Sequence, residues 1–101
     1  MRPLLPSPQP MENVMKHLPE IHRIDWNGTL LEITYEPLWM PAHIMGQDIA
    51  HIEVRSIYPT AAPLPISKTG FYTNTLPASA ITAAGGPVAY IDVMLAAGGA
   101  P

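Results

Sequence analysis

Two adjacent residues constrain this chain more than any others: Asn27 and Gly28, set between runs of alternating apolar and polar residues. A two-residue hairpin turn of type I′ needs positive φ at both central positions, and Asn followed by Gly meets that need at the least steric cost. The pair predicts an antiparallel hairpin, with a first strand over roughly Ile21–Trp26 and a second over Thr29–Glu36. In the second strand Leu31, Ile33 and Tyr35 share one face, while Glu32, Thr34 and Glu36 share the other. Pro37 has no N–H to give to a ladder, so the strand ends there or sits at an edge.

The rest of the chain completes a small α+β domain. Ile49–Tyr58 alternates as a third strand, with Ala50, Ile52, Val54 and Tyr58 on one face and His51, Glu53 and Arg55 on the other. Between the second and third strands lies Leu38–Gly46, an apolar and irregular connection. Pro63-Leu64-Pro65 reads as a crossing without regular pairs. Gly70 marks a turn, and Ser67 and Thr69 are placed to hold it by side-chain to backbone hydrogen bonds. Phe71-Tyr72-Thr73 is β-prone enough for a short fourth strand. Pro77 and Ser79 can open a helix over Ala78–Ala84, which Gly85-Gly86 ends. Pro87 suits the first turn of a last helix running to about Ala97 and closed by Gly98. Val88, Ile91 and Leu95 fall on one face of it, and its other side is mostly alanine. At the N-terminus, residues 1–10 read as a disordered proline-rich arm and Met11–Leu18 as a short helix stopped by Pro19. The expectation is one α+β domain over residues 11–98: a three- to four-stranded antiparallel sheet, with the C-terminal helices packed on the Leu31, Ile33, Ile52, Val54 face.

Composition excludes several functions. The net charge is −3 and only 13% of residues are charged, about half the roughly 25% usual for soluble domains. A general nucleic-acid binder would carry a basic patch, so no nucleic-acid partner is expected. The chain has no cysteine, which removes disulfides, thiolate nucleophiles and Cys-based zinc sites. Pro3, Pro6, Pro8 and Pro10 interrupt any apolar leader. The longest apolar run, Val88–Ala97, is broken by Asp92 and is well short of the ~20 residues a membrane span needs. A cytoplasmic protein with no membrane partner is the expectation.

The groups able to carry chemistry gather on the polar face of the sheet. If the second and third strands are antiparallel neighbours, Glu32, Thr34 and Glu36 share a side with His51, Glu53 and Arg55. His and Glu at i, i+2 on a strand can reach one metal ion, with a carboxylate from the next strand as a third ligand. The same set could hold a small anion through Arg55, with His51 as acid or base. Against both stands a solvated face of cross-strand Glu–Arg pairs, each worth about a few tenths of a kcal/mol. The ligand-binding candidates are His51, Glu53, Arg55 and Glu32; no metal site and no cofactor is assigned. His17, His22 and His43 are too scattered to assemble from sequence. Lys68-Thr69-Gly70 copies one signature of penicillin-binding enzymes, but no Ser-x-x-Lys accompanies it and the chain is too short for that fold.

The stretch His51-Ile52-Glu53-Val54-Arg55, followed by Pro63-Leu64-Pro65-Ile66-Ser67-Lys68-Thr69-Gly70-Phe71, resembles small uncharacterised bacterial proteins of plasmid and mobile-element type. In these a His-x-Glu-Ile/Val-Arg strand precedes Pro-Leu-Pro-Ile-x-x-Thr-Gly and an aromatic residue. Asp25-Trp26-Asn27-Gly28 and Ala84-Gly85-Gly86-Pro87-Val88 share the likeness. Such proteins usually continue Tyr-Arg-Ser-His-Phe after Thr-Gly, whereas this chain reads Phe71-Tyr72-Thr73-Asn74-Thr75, without the basic and imidazole groups. The resemblance implies a bacterial protein with the same small domain and assigns it no particular activity. The functional expectation is a non-enzymatic binding or protein-interaction module acting as a homo-oligomer. The alternative is a small-ligand (anion) or metal-assisted catalytic site on the polar sheet face, and whether the chain is an enzyme stays open.

Overall fold

The computed structural model describes residues 18–40 and 42–98. The proline-rich arm, His17 and all but the last residue of the helix expected over Met11–Leu18 lie outside the described residues. β1 (Glu20–Trp26) and β2 (Thr29–Met40) form the hairpin, and its turn has φ 51° at Asn27 and 85° at Gly28. The Asp25 carboxylate secures the turn by accepting the Gly28 N–H at 3.0 Å. A single helical turn, α1 (Ala42–Met45), leads to β3 (Ile49–Tyr58), and a long connection leads to β4 (Phe71–Pro77). The four strands form one antiparallel sheet in the order β1-β2-β3-β4. α2 (Ala78–Ala84) and α3 (Pro87–Gly98) follow, with a bend of 79° at the Gly85-Gly86 break.

The sheet is amphipathic because its strands alternate in phase. Leu31, Ile33 and Tyr35 of β2 and Ala50, Ile52 and Val54 of β3 are buried beneath Ile81 of α2 and Ile91 and Leu95 of α3. The helices therefore cover the face expected to take them. Burial raises the pKa of the Tyr35 phenol, and the Glu20 carboxylate opposite it on β1 adds to the effect. The Tyr72 phenol is raised too, by burial and then by Tyr90, with an Asn74 hydrogen bond opposing. A raised folded value means that stability is intact below the unfolded phenol value of about 10 and is lost as pH climbs through the folded ones. Urea unfolding between neutral pH and pH 11 should show a decline confined to the alkaline end, and Tyr35→Phe should make it shallower.

Two expectations need correction. Tyr58 lies on the opposite face from Ala50, Ile52 and Val54 and is 72% exposed. The cause is a β-bulge: Leu31 pairs with Ser56 but Leu30 pairs with Tyr58, so Ile57 is an extra residue and the alternation flips past it. Ser56, the last residue before the bulge, keeps the inward phase of Ala50, Ile52 and Val54 and is 2% exposed. Second, β2 does not stop at Glu36. Its register slips between Glu36↔His51 and Met40↔Ile49, so that Pro37-Leu38-Trp39 oppose Ala50 alone. Pro37 is thus tolerated inside the strand because it falls within an irregularity, where no ladder bond needs its N–H. α2 has the expected bounds, Ala78–Ala84, and begins directly after Pro77 with no side-chain cap.

Ser56 organises the connection between β3 and β4. Its N–H donates to Gly70 O at 2.8 Å, its carbonyl accepts the Ala61 N–H at 3.1 Å, and its hydroxyl donates to Ala62 O at 2.7 Å. The Pro-Leu-Pro crossing holds an isolated bridge between Leu64 and Ser67, and Leu64 is buried in the core. The Ser67 and Thr69 hydroxyls both donate to Phe71 O, as their place before the turn suggests.

Candidate functional site

Strand register places the candidate residues on the sheet face away from the helices. Arg23, Glu32, Arg55 and Phe71 form one cross-strand row, and Ile21, Thr34, Glu53 and Thr73 the next. Glu36, His51 and Thr75 form a third. Glu32, His51, Glu53 and Arg55 therefore do share a face, with Glu32 directly opposite Arg55.

The charges on this face largely satisfy one another. Glu32 accepts from Arg23 Nη2 at 3.1 Å and lies 3.8 Å from Arg55 Nη2. Arg55 also reaches Glu53 at 3.4 Å. Both guanidiniums are paired with carboxylates, which reduces the positive charge they offer to an incoming anion. Pairs this exposed contribute about 0.2–1 kcal/mol each.

His51 stands apart from that network. Its ring is stacked on Trp39, with centroids 4.5 Å apart and planes 25° from parallel. Its Nε2 lies 2.6 Å from Thr73 Oγ1 on the diagonal position of β4. Glu53 is thus turned to Arg55, and His51 to Trp39 and Thr73. Among the described residues no group of three or more His, Asp or Glu side chains is placed to hold a metal ion. A shallow depression lies elsewhere, lined by Gln47, Asp48, Ala78, Ser79, Thr82 and Ala83. None of the four candidates lines it; Arg55 is exposed, and Glu32, His51 and Glu53 are partly covered.

Of the scattered histidines, His22 lies on the helix side of β1, within 3.2 Å of Glu20 Oε1. The His43 side chain is outside what the structure describes. Sequence reasoning missed Trp39 and Thr73 as neighbours of His51. Thr73 was accessible in principle, because antiparallel pairing of β3 with β4 brings it diagonal to His51. Trp39 was not, since only the slip in β2 carries it there.

The face also shows apolar groups. Ile21, Tyr58 and Phe71 are exposed on it, and Trp39, Met40, Ile44 and Met45 are exposed at the β2–β3 corner, with Ile44 at 66%. The sheet with its two helices falls within residues 19–100, the stretch matched by the family described as the KlcB third domain. The chain belongs to that family. No curated protein and no solved structure matches it. In this KlcB-type domain no single helix among the described residues is long and apolar enough to cross a membrane. Its geometry offers a self-neutralised ionic patch, a stacked Trp–His pair and several exposed apolar side chains.

Proposed function

We propose that this chain is a non-enzymatic protein-interaction module that acts as a homo-oligomer. The observation that carries the reading is the corner of Trp39, Met40, Ile44 and Met45, two pairs of large apolar residues that stand exposed on either side of a three-residue gap in the sequence. Exposed apolar patches of this kind mark interaction surfaces, whereas isolated apolar residues do not. The low charge of the chain supports it, since few charges stand between one copy and another. The family's description as a third domain supports it too: a unit that accompanies other domains in KlcB is suited to holding partners together.

Sedimentation equilibrium on the full chain at micromolar concentration tests the reading. An assembly larger than the monomer is expected, and a monomer throughout would overturn it. The polar face belongs to the same reading as a solvated, paired surface. Replacing both His51 and Glu53 by alanine should leave metal content at background and the melting temperature insensitive to added zinc or phosphate, in wild type and variant alike. A zinc- or phosphate-dependent rise in melting temperature in the wild type, lost in the variant, would support the catalytic alternative instead.

A further inference from the structure

The two outer strands of the sheet differ in how they guard their free edges. β1 carries Glu20, Arg23 and Asp25, and charged side chains of this kind discourage strand addition. β4 reads Phe71-Tyr72-Thr73-Asn74-Thr75-Leu76-Pro77, with no charged residue and no bulge. Its outer side has no strand partner among the described residues.

The phase of the β3–β4 ladder decides which groups that edge presents. Ser56 N–H donates to Gly70 O and Ala78 N–H donates to Asp48 O. With the observed register, Tyr72, Asn74 and Leu76 must turn their backbone groups to β3, and Phe71, Thr73 and Thr75 must turn theirs outward. Two of the outward groups are already occupied. The Phe71 carbonyl accepts from the Ser67 hydroxyl, and the Thr75 N–H donates to Asn74 Oδ1 at 2.9 Å. Among the described residues the Thr73 N–H and carbonyl, the Phe71 N–H and the Thr75 carbonyl have no hydrogen-bond partner.

We infer that β4 is the seam of self-association: its outer edge pairs antiparallel with β4 of a second copy, about a twofold axis at Thr73. In that register Thr73 of each copy exchanges both of its backbone bonds with Thr73 of the other. The Phe71 N–H of each copy meets the Thr75 carbonyl of the other. The two occupied groups, Phe71 carbonyl and Thr75 N–H, also fall opposite each other, so neither is set against a group in need of a partner. The Ser67 hydroxyl bounds the seam at its Phe71 end. A second copy is the fitting occupant because a twofold axis sets each residue against its own neighbourhood, where a charged edge repels itself and an uncharged one does not. Half-buried Tyr72 and Leu76 on the helix side are covered further by the pairing. The inference rests on the self-association proposed above and adds where it occurs.

Thr73→Pro removes the central outward donor while leaving every backbone bond to β3 intact, since edge strands accept proline where the N–H faces solvent. It also removes the Thr73 hydroxyl contact with His51, which Thr73→Val removes without touching the backbone donor. Sedimentation equilibrium on the full chain should show the dimer dissociation constant raised by at least about tenfold in this variant, the loss of more than about 1.4 kcal/mol of association energy. Thr73→Cys provides an independent reading in a chain that has no cysteine of its own. Facing Cα atoms at a hydrogen-bonded antiparallel pair lie about 5.5 Å apart, within disulfide reach. Under oxidation Thr73→Cys should form a covalent dimer at least about tenfold faster than Ile44→Cys, which sits at the apolar corner. A wild-type dimer that survives Thr73→Pro, with no faster cross-linking at position 73, would overturn the β4 seam and leave self-association standing. A wild-type monomer would remove both. If Thr73→Pro fails to fold by circular dichroism, the relative cross-linking rates decide.

Discussion

Replacing Gly70 by alanine is expected to destabilise the domain by about 3 kcal/mol, although the residue belongs to no helix or strand. Gly70 has φ +74°, and a Cβ built on it would lie 2.6 Å from the Ala62 carbonyl oxygen and 2.7 Å from the Ala61 carbonyl carbon. The left-handed conformation alone costs a non-glycine residue about 1–2 kcal/mol, and forcing packed atoms apart adds about 1–3 kcal/mol. Both neighbours are backbone, and the Ser56 hydroxyl holds Ala62 O in place at 2.7 Å, so the obstruction cannot swing aside. Gly28→Ala is the matched control. Gly28 has φ +85° with nothing within 4 Å of the built Cβ, so it should incur only the conformational term. Thermal melts of the pair separate the two contributions: for a domain of this length each kcal/mol moves the midpoint by about 4–8 °C. Equal effects at the two positions would contradict the close approach of the β3–β4 connection to Gly70.

A second large effect is expected at the centre of the sheet. Ile52 is fully buried and stands opposite Tyr35 on β2 and Asn74 on β4. Ile52→Ala removes apolar surface and leaves a cavity between two flanking strands and the helices, at an expected cost of about 2–5 kcal/mol. Domains of this size are stable by only about 5–15 kcal/mol, so the variant should be partly unfolded at moderate urea concentration. Ile21→Ala provides the contrast on the other face. Ile21 is 59% exposed, and its truncation in an isolated domain should stay within about 0.5 kcal/mol. Urea midpoints measure both. If Ile21→Ala proved as costly as Ile52→Ala, the open face would have to be covered in solution.

Much of the architecture was legible because it rests on local rules. Asn27-Gly28 signals a hairpin by turn chemistry alone, and the structure places the turn there. Period-2 alternation identified Leu31, Ile33, Ile52 and Val54 as a common face, since side chains of a strand alternate whatever lies beyond it. Gly85-Gly86-Pro87 marked the break between the helices by the conformational freedom of one residue type and the restriction of the other. The same rules failed where one residue changes the count. Ile57 bulges out of β3 and sends Tyr58 to solvent, and nothing in Ser56-Ile57-Tyr58 distinguishes it from a regular strand. Pro37 looked like a stop, yet β2 continues past it because the register slips by the length of Pro37-Leu38-Trp39. Ser56 read as one more polar residue at a strand end, and its role depends on a connection that returns to it.

The candidate site divides along the same line. Alternation alone placed His51, Glu53 and Arg55 on one face of a strand, and Glu32 joined them only on the condition that the second and third strands pair, which the structure supplies. Which charge meets which depends on register. Arg55 lies between Glu32 and Glu53, and His51 lies between Trp39 and Thr73, because β2 and β4 slide to those positions along β3. Sequence by itself determined the four strands, the two C-terminal helices, the hairpin turn and the two-faced character of the sheet, since these follow from the conformational preferences and alternation of adjacent residues. The end of β2 and the helical turn Ala42–Met45 do not follow from them. Tertiary structure alone decided the bulge that turns Tyr58 outward, the pairing that neutralises the polar face and the free groups on the β4 edge. Each of those depends on residues far apart in the chain being brought into one register, and no local preference encodes that register.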